Sequence, residues 1–221
     1  MRSIGAVSIG VVAIVAGMLW WTMYGRGVSN SAASSALVVE TFDAANEGRR
    51  VSVTGTLSFA TGAVDDELGI ATQAAVLWRD VEMAQWQEQC LANGCVQRIA
   101  WSSSLIESST FNEKTGRANP VEFPFSSRAF VAPALQLGAF TVDAAVLAGL
   151  PTLPRVASTA ELPPNLAAIF RDHDGGLHSG EDIQAPAVGD LRVRYRVLAP
   201  GPVTVVGVQR GQALVAAAQQ E

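Results

Sequence analysis

Between Arg2 and Arg26, residues Ser3 to Gly25 carry no ionisable side chain other than Tyr24. Wound as a helix at about 1.5 Å per residue, this segment is about 34 Å long, enough to cross a hydrocarbon core of about 30 Å. A cleaved secretory signal is the competing reading, but its apolar stretch is typically about 7–15 residues and this run is longer. Trp20, Trp21 and Tyr24 lie at the far end, where amphipathic rings favour a bilayer interface. The expectation is a retained single-pass anchor over 1–26, a polar linker over 27–36, an extracytoplasmic domain over 37–216 and a short tail over 217–221. A large domain after a short N-terminal stub belongs by default on the non-cytoplasmic side, in a bacterial periplasm or a eukaryotic lumen.

Within the apolar segment Ala6, Gly10, Ala13 and Gly17 share one helical face. Small residues on one face let two helices approach closely and make a homo-oligomer a candidate, although Gly and Ala are also simply common in membrane helices. The bilayer itself is the first expected partner. The net charge of −5 argues against nucleic acid. Lys114 is the only lysine among 15 basic residues, a bias that with the abundant Ala and Val points to a GC-rich bacterial genome.

The remainder reads as a β-rich, mostly antiparallel domain with short helices, of α+β class. Val51 to Leu57 alternates and is rich in β-branched residues, as a half-buried strand requires. Across Ala75 to Glu88 the apolar residues fit both helical and strand periods, and the turn downstream favours strand. Leu135 to Val142 reads as one strand, and Asp143 as the N-cap of a short helix. Leu191, Val193, Tyr195 and Val197 alternate with Arg192, Arg194 and Arg196, which gives one apolar and one cationic face. That arginine row is read first as a solvated strand face, with anionic lipid or an acidic partner as the alternative.

Asn93-Gly94 signals a hairpin between Trp86 and Trp101. A two-residue Asn-Gly turn would leave Cys90 and Cys95 diagonal, too far apart for the Cβ spacing of about 3.5–4.5 Å that a disulfide needs. A four-residue loop from Leu91 to Gly94 would instead set Cys90 opposite Cys95 and Trp86 opposite Ile99. The bridged register is favoured outside the cytoplasm; two free thiols are the alternative.

His173 and His178 lie in Asp172-His-Asp-Gly-Gly-Leu-His-Ser-Gly-Glu-Asp182. Read as a calcium loop, Asp172, Asp174 and Glu181 are well placed, but Phe170 stands where the first oxygen ligand belongs. A Gly-rich turn without metal is the expectation. The chain has no Gly-x-Ser-x-Gly elbow, no Walker-type loop, and a Cys spacing unlike that of a thioredoxin-type motif. No catalytic residues and no cofactor are therefore assigned.

Several segments together resemble the transmembrane protein 43 family. The resemblance rests on Asn46-Glu-Gly-Arg with Val51 to Leu57, on Val81, Glu82, Met83 and Trp86, on Trp101, Ser109-Thr-Phe111, Asn119 and Pro120, on Gly189, Asp190, Leu191, Arg192 and Val193, and on Gln209-Arg-Gly211. Ala84 departs from it where an aromatic is expected. The resemblance implies an N-terminal membrane helix, a lumenal or periplasmic domain, and further C-terminal membrane helices that do not follow within these 221 residues. It also implies membrane organisation through self-association or contact with another membrane or envelope protein, as in animal members at the inner nuclear membrane. It carries over no catalytic set. A tethered ligand-binding or hydrolytic domain is the alternative, and would need a deep polar cleft around His173 and His178.

Overall fold

A computed structural model describes residues 36–217. Its strands are β1 (Leu37–Val39), β2 (Arg50–Ser58), β3 (Val64–Asp65), β4 (Ile70–Ala71), β5 (Val76–Leu91), β6 (Gly94–Ser102), β7 (Arg128–Val131) and β8 (Gln136–Leu137). They continue with β9 (Phe140–Val142), β10 (Leu153–Arg155), β11 (Arg171–His173), β12 (Gly176–His178), β13 (Leu191–Leu198), β14 (Pro202–Arg210) and β15 (Ala213–Val215). The α-helices among these residues are two single turns, Ala144–Leu147 and Pro164–Ala167.

Five strands close a ring in the order β2, β8, β9, β15, β14 and back to β2. All its pairings are antiparallel except β15 with β9. A small five-stranded Greek-key ring of this kind is an OB-type barrel. Alternation in β2 sends Val51, Val53 and Leu57 inward, where they meet Leu137, Phe140, Val142, Val205 and Leu214. Strand β1 runs parallel to the first half of β2 and covers its open edge there.

The second sheet is built on β5. One edge of its first half pairs with β13 and the other with β7, while its second half pairs with β6. Val76 and Trp78 face the barrel core, whereas Leu77, Val81 and Met83 enter a second core with Leu177, Leu191, Val193 and Tyr195. A strand covered on both faces loses the apolar–polar alternation, which is why its sequence fits two periods. Beyond Met83 the strand leaves β13 and runs on with β6 as a two-stranded arm.

Three sequence expectations need correction. The α+β class with a single N-terminal membrane helix is replaced by a β-rich fold. Among the described residues no helix is long and apolar enough to cross a membrane. A single α-turn spans only about 6 Å against about 30 Å of hydrocarbon, and Gly149, Pro151, Pro154 and Pro163 stop longer helices from forming. The stretch from Ser3 to Gly25, with Ala6, Gly10, Ala13 and Gly17, lies outside the described residues. Second, Leu135 to Val142 is not one strand but a hairpin, β8 and β9, because Gly138 turns the chain at φ 60°. Third, the turn of the arm is Ala92-Asn93, with Leu91 paired to Gly94, which takes φ 133°.

Candidate functional site

Most of the residues that carry the family resemblance meet at two places. At the foot of the barrel, Gly48 N–H donates to Gln209 O (2.9 Å), and Gln209 N–H donates to Arg49 O (3.0 Å). Glu47 accepts from Gly211 N–H at 2.8 Å. The Asn46-Glu-Gly-Arg and Gln209-Arg-Gly segments are thus one clasp.

The other place is the base of the arm. Val81, Glu82 and Met83 of β5 lie opposite Val193, Arg192 and Leu191 of β13. Val81, Met83, Leu191 and Val193 are buried on one face. On the other face Arg192 Nε donates to Glu82 Oε2 at 2.5 Å and its guanidinium lies 4.9 Å from the Trp101 ring centre. The ladder continues through Ala84, whose N–H donates to Asp190 O and whose carbonyl accepts from Gly189 N–H. Gly189 holds φ 96°, and Pro120 packs beside it. Ala84 is fully buried opposite Trp101, so the expected aromatic is absent where the sheet is tight.

Two residues further along the same edge, a side chain replaces the missing strand. Asn119 Oδ1 accepts from Trp86 N–H at 2.7 Å, while its Nδ2 donates to Trp86 O at 3.0 Å and to Ile106 O at 3.1 Å. Both backbone groups of Trp86 on that edge are therefore satisfied. The Gln85 side chain of the arm in turn bonds the strap backbone, donating to Ser104 O and accepting from Ile106 N–H, each at 2.9 Å. Arg117 covers the Trp86 ring at 4.0 Å. These contacts strap residues 104–120 along the arm. A groove of about 380 Å³ opens within the strap segment itself, lined by Leu105, Glu107, Lys114, Arg117, Pro120 and Val121 among others.

At the tip, Cys90 and Cys95 are directly opposite and joined, with an S–S distance of 2.00 Å. Trp86 lies opposite Ile99 in the same register. Asn112 Nδ2 donates to Cys90 Sγ at 3.3 Å, Cys95 Sγ at 3.1 Å and Glu88 Oε2 at 2.7 Å. The Asn112 backbone N–H, followed by the Gln97 amide, holds the Glu88 carboxyl below the usual carboxylate range.

The histidine loop folds as the β11–β12 hairpin. Two of its carboxylates are engaged elsewhere: Asp172 accepts from Ser158 Oγ (3.0 Å) and Thr159 N–H (2.6 Å), and Asp174 pairs with Arg194 at 3.5 Å. The cleft beside His173 measures about 10 Å³, too small for a substrate. His178 is buried, with Nε2 unpartnered and its ring edge-on to Trp101 at 5.8 Å. Burial pulls its pKa below the ordinary imidazole value. The arginine row is neutralised: Glu82, Asp174 and Asp80 face Arg192, Arg194 and Arg196. A compensated row offers anionic lipid little net charge.

A further cluster escaped sequence reasoning. Arg79 is fully buried and donates through Nη1 to both oxygens of buried Asp65, at 2.9 and 2.8 Å. Its Nη2 bonds Glu67 at 2.5 Å, its Nε bonds Ser126 O, and Phe125 and Phe130 flank the guanidinium. Tyr195 donates to Asp65 Oδ2 at 2.7 Å, and burial drives its hydroxyl pKa far up. The available signal was an arginine inside the otherwise apolar start of β5. Each guanidinium nitrogen of Arg79 has a partner, so the cluster braces the β3–β4 hairpin rather than presenting a reactive group.

The family model described as Transmembrane protein 43 matches residues 85–221. Transmembrane protein 43 of Homo sapiens is 31% identical, covering 77% of this chain and 48% of that protein. The Mus musculus protein is 30% identical over the same shares. The Transmembrane protein 43 homolog of Drosophila melanogaster is 27% identical, covering 93% of this chain and 61% of that protein. The chain thus spans about half the length of the mammalian relatives it matches. No solved structure matches it. The matched region, more than half of the chain, takes in the arm from Gln85 onward, its strap and the β13 motif that anchors it, and on that ground the chain belongs to the transmembrane protein 43 family.

Proposed function

We propose that the described domain is a membrane-associated scaffold on the non-cytoplasmic side, binding a second copy or another envelope protein through the strapped arm. The observation that carries this reading is the use of the signature residues. Glu82, Arg192, Trp101, Asn119 and Gly189 hold a protruding hairpin at a defined angle, and none is left over for acid–base or nucleophilic work. Membership of a family named for transmembrane proteins supports the membrane, and an exposed disulfide supports an oxidising compartment. The groove of about 380 Å³ favours, as a second reading, a small ligand held within the strap.

A photo-reactive residue placed at Val96 on the arm, or at Val121 on the groove rim, tests the scaffold reading in native membranes. Discrete adducts from these positions, absent from a control at Val38 of β1, are the expected outcome. Equal labelling from all three, or none from the arm, refutes it.

A further inference from the structure

Strand β6 is the outermost strand of the second sheet, paired with β5 and with no other strand. On β5, Trp86 turns its N–H and C=O to Asn119, and Ala84 turns its own to Asp190 and Gly189, all away from β6. Residues directly opposite in an antiparallel ladder share that sense, so Ile99 and Trp101 point their backbone groups away from β5. Cys95 and Gln97 follow at the two-residue repeat. Among the described residues these four N–H and four C=O groups meet no partner. The other described strands with a single neighbour have four residues or fewer, whereas β6 has nine. It carries no proline, no lysine and no bulge, since Met83 to Leu91 pair one-to-one with Ser102 to Gly94. Such an edge lacks the devices that keep a strand from pairing further.

We propose, resting on the scaffold reading of the arm, that this edge takes an extended acidic segment of a partner protein as an added antiparallel strand. Main-chain bonds at Cys95, Gln97, Ile99 and Trp101 hold that strand. Specificity comes from the face opposite Gln97 and Ile99, where Val96, Arg98 and Ala100 alternate. Val96 and Arg98 are exposed there, beside an open depression of about 300 Å³. Arg98 is the only charge on β6 and, among the described residues, enters no ion pair, unlike Arg192, Arg194 and Arg196, each of which faces a carboxylate. Toward an added strand its position is of the non-hydrogen-bonded kind, about 4.5 Å between Cα atoms, so a Glu or Asp set opposite lies within ion-pair reach. Apolar residues two places to either side of that carboxylate meet Val96 and Ala100. The same charge disfavours a second copy: β6 laid antiparallel on β6 over its full length sets Arg98 directly against its own equivalent. The disulfide and the Asn119 bonds hold the ladder closed before a partner arrives, which lowers the ordering cost.

The probe is the peptide acetyl-Thr-Val-Thr-Glu-Thr-Val-Thr-amide, titrated to millimolar concentration into the isotope-labelled full chain in detergent micelles and followed by nuclear magnetic resonance. Saturable shifts and slowed hydrogen exchange are expected at the amides of Cys95, Gln97, Ile99 and Trp101. The amides of Val96, Arg98 and Ala100, which face β5, should gain no protection. Exchanging Glu for Lys in the peptide should weaken binding about fivefold, and R98E should reverse that preference. No saturable shift at the four amides, shifts centred on the strap groove instead, or equal affinity for the Glu and Lys peptides overturns the proposal. Protection of the same amides that grows with protein concentration in the absence of peptide makes a second copy the occupant and overturns it too. Discrete adducts from Val96 alongside any of these failures leave the scaffold reading standing and sink the acidic strand alone. Peptide pairing with no adducts from the arm sinks the scaffold reading instead.

Discussion

Replacing Asp65 by Asn tests the reasoning about the buried brace most directly. The change keeps the size of the side chain but removes its charge and exchanges one acceptor for a donor. Asp65 accepts two bonds from Arg79, one from Tyr195, and two from the backbone N–H groups of Glu67 and Leu68. Arg79 and Asp65 both have fully buried side chains, so water cannot take over as partner. Breaking such a pair from one side costs about 3–5 kcal/mol, because it leaves a charge buried with too little compensation. Glu67 still holds Nη2 and keeps the loss near the lower end. At about 2–4 °C per kcal/mol for a domain of this size, the melting point should fall by roughly 6–20 °C. Urea unfolding followed by tryptophan fluorescence measures the free energy. Asp80→Ala is the control: it breaks the exposed pair with Arg196 and should cost less than about 1 kcal/mol. If D65N unfolds within about 1 kcal/mol of the parent, the brace is not the buried ion pair described here.

Three further outcomes follow from the geometry. His178 has a depressed folded pKa, so below the ordinary imidazole value the unfolded chain binds a proton that the native state resists. Stability should therefore be level above about pH 6.5 and decline as pH falls below it, and H178N should flatten that decline in urea midpoints. Asn119→Ala strips both backbone groups of Trp86 on one edge and should cost about 1–3 kcal/mol, with faster hydrogen exchange at the Trp86 amide and little change within β2. Replacing both cysteines by Ser opens a ring of few residues and should cost about 2 kcal/mol or less, loosening the arm tip while the barrel keeps its exchange protection.

Several local features were legible from residues alone. Alternation over Val51 to Leu57 and Leu191 to Val197 corresponds to β2 and β13, because an edge between core and solvent imposes a period of two. Asp143 caps the short helix after β9 through Ala145 N–H at 3.0 Å, as its side chain allows. The split at Gly138 was not legible, since Leu135 to Val142 has strand composition on both sides of the turn. The double burial of β5 was not legible either, because periodicity vanishes when both faces are covered.

By itself, then, the amino-acid order determined what nearest neighbours along the chain control: strand period where one face is covered, the cap at Asp143, the cysteine spacing and the segments that mark the family. Tertiary structure alone decided which charges meet. Arg192 finds Glu82 across 110 positions, Arg196 finds Asp80 across 116, and Tyr195 finds Asp65 across 130. An arginine row that looks cationic in sequence becomes compensated, and Asp65 and Glu67 become the acceptors of the buried Arg79. The physical reason is that a Coulomb interaction or hydrogen bond depends on distance and burial in space, and chain separation constrains neither until the sheets have closed.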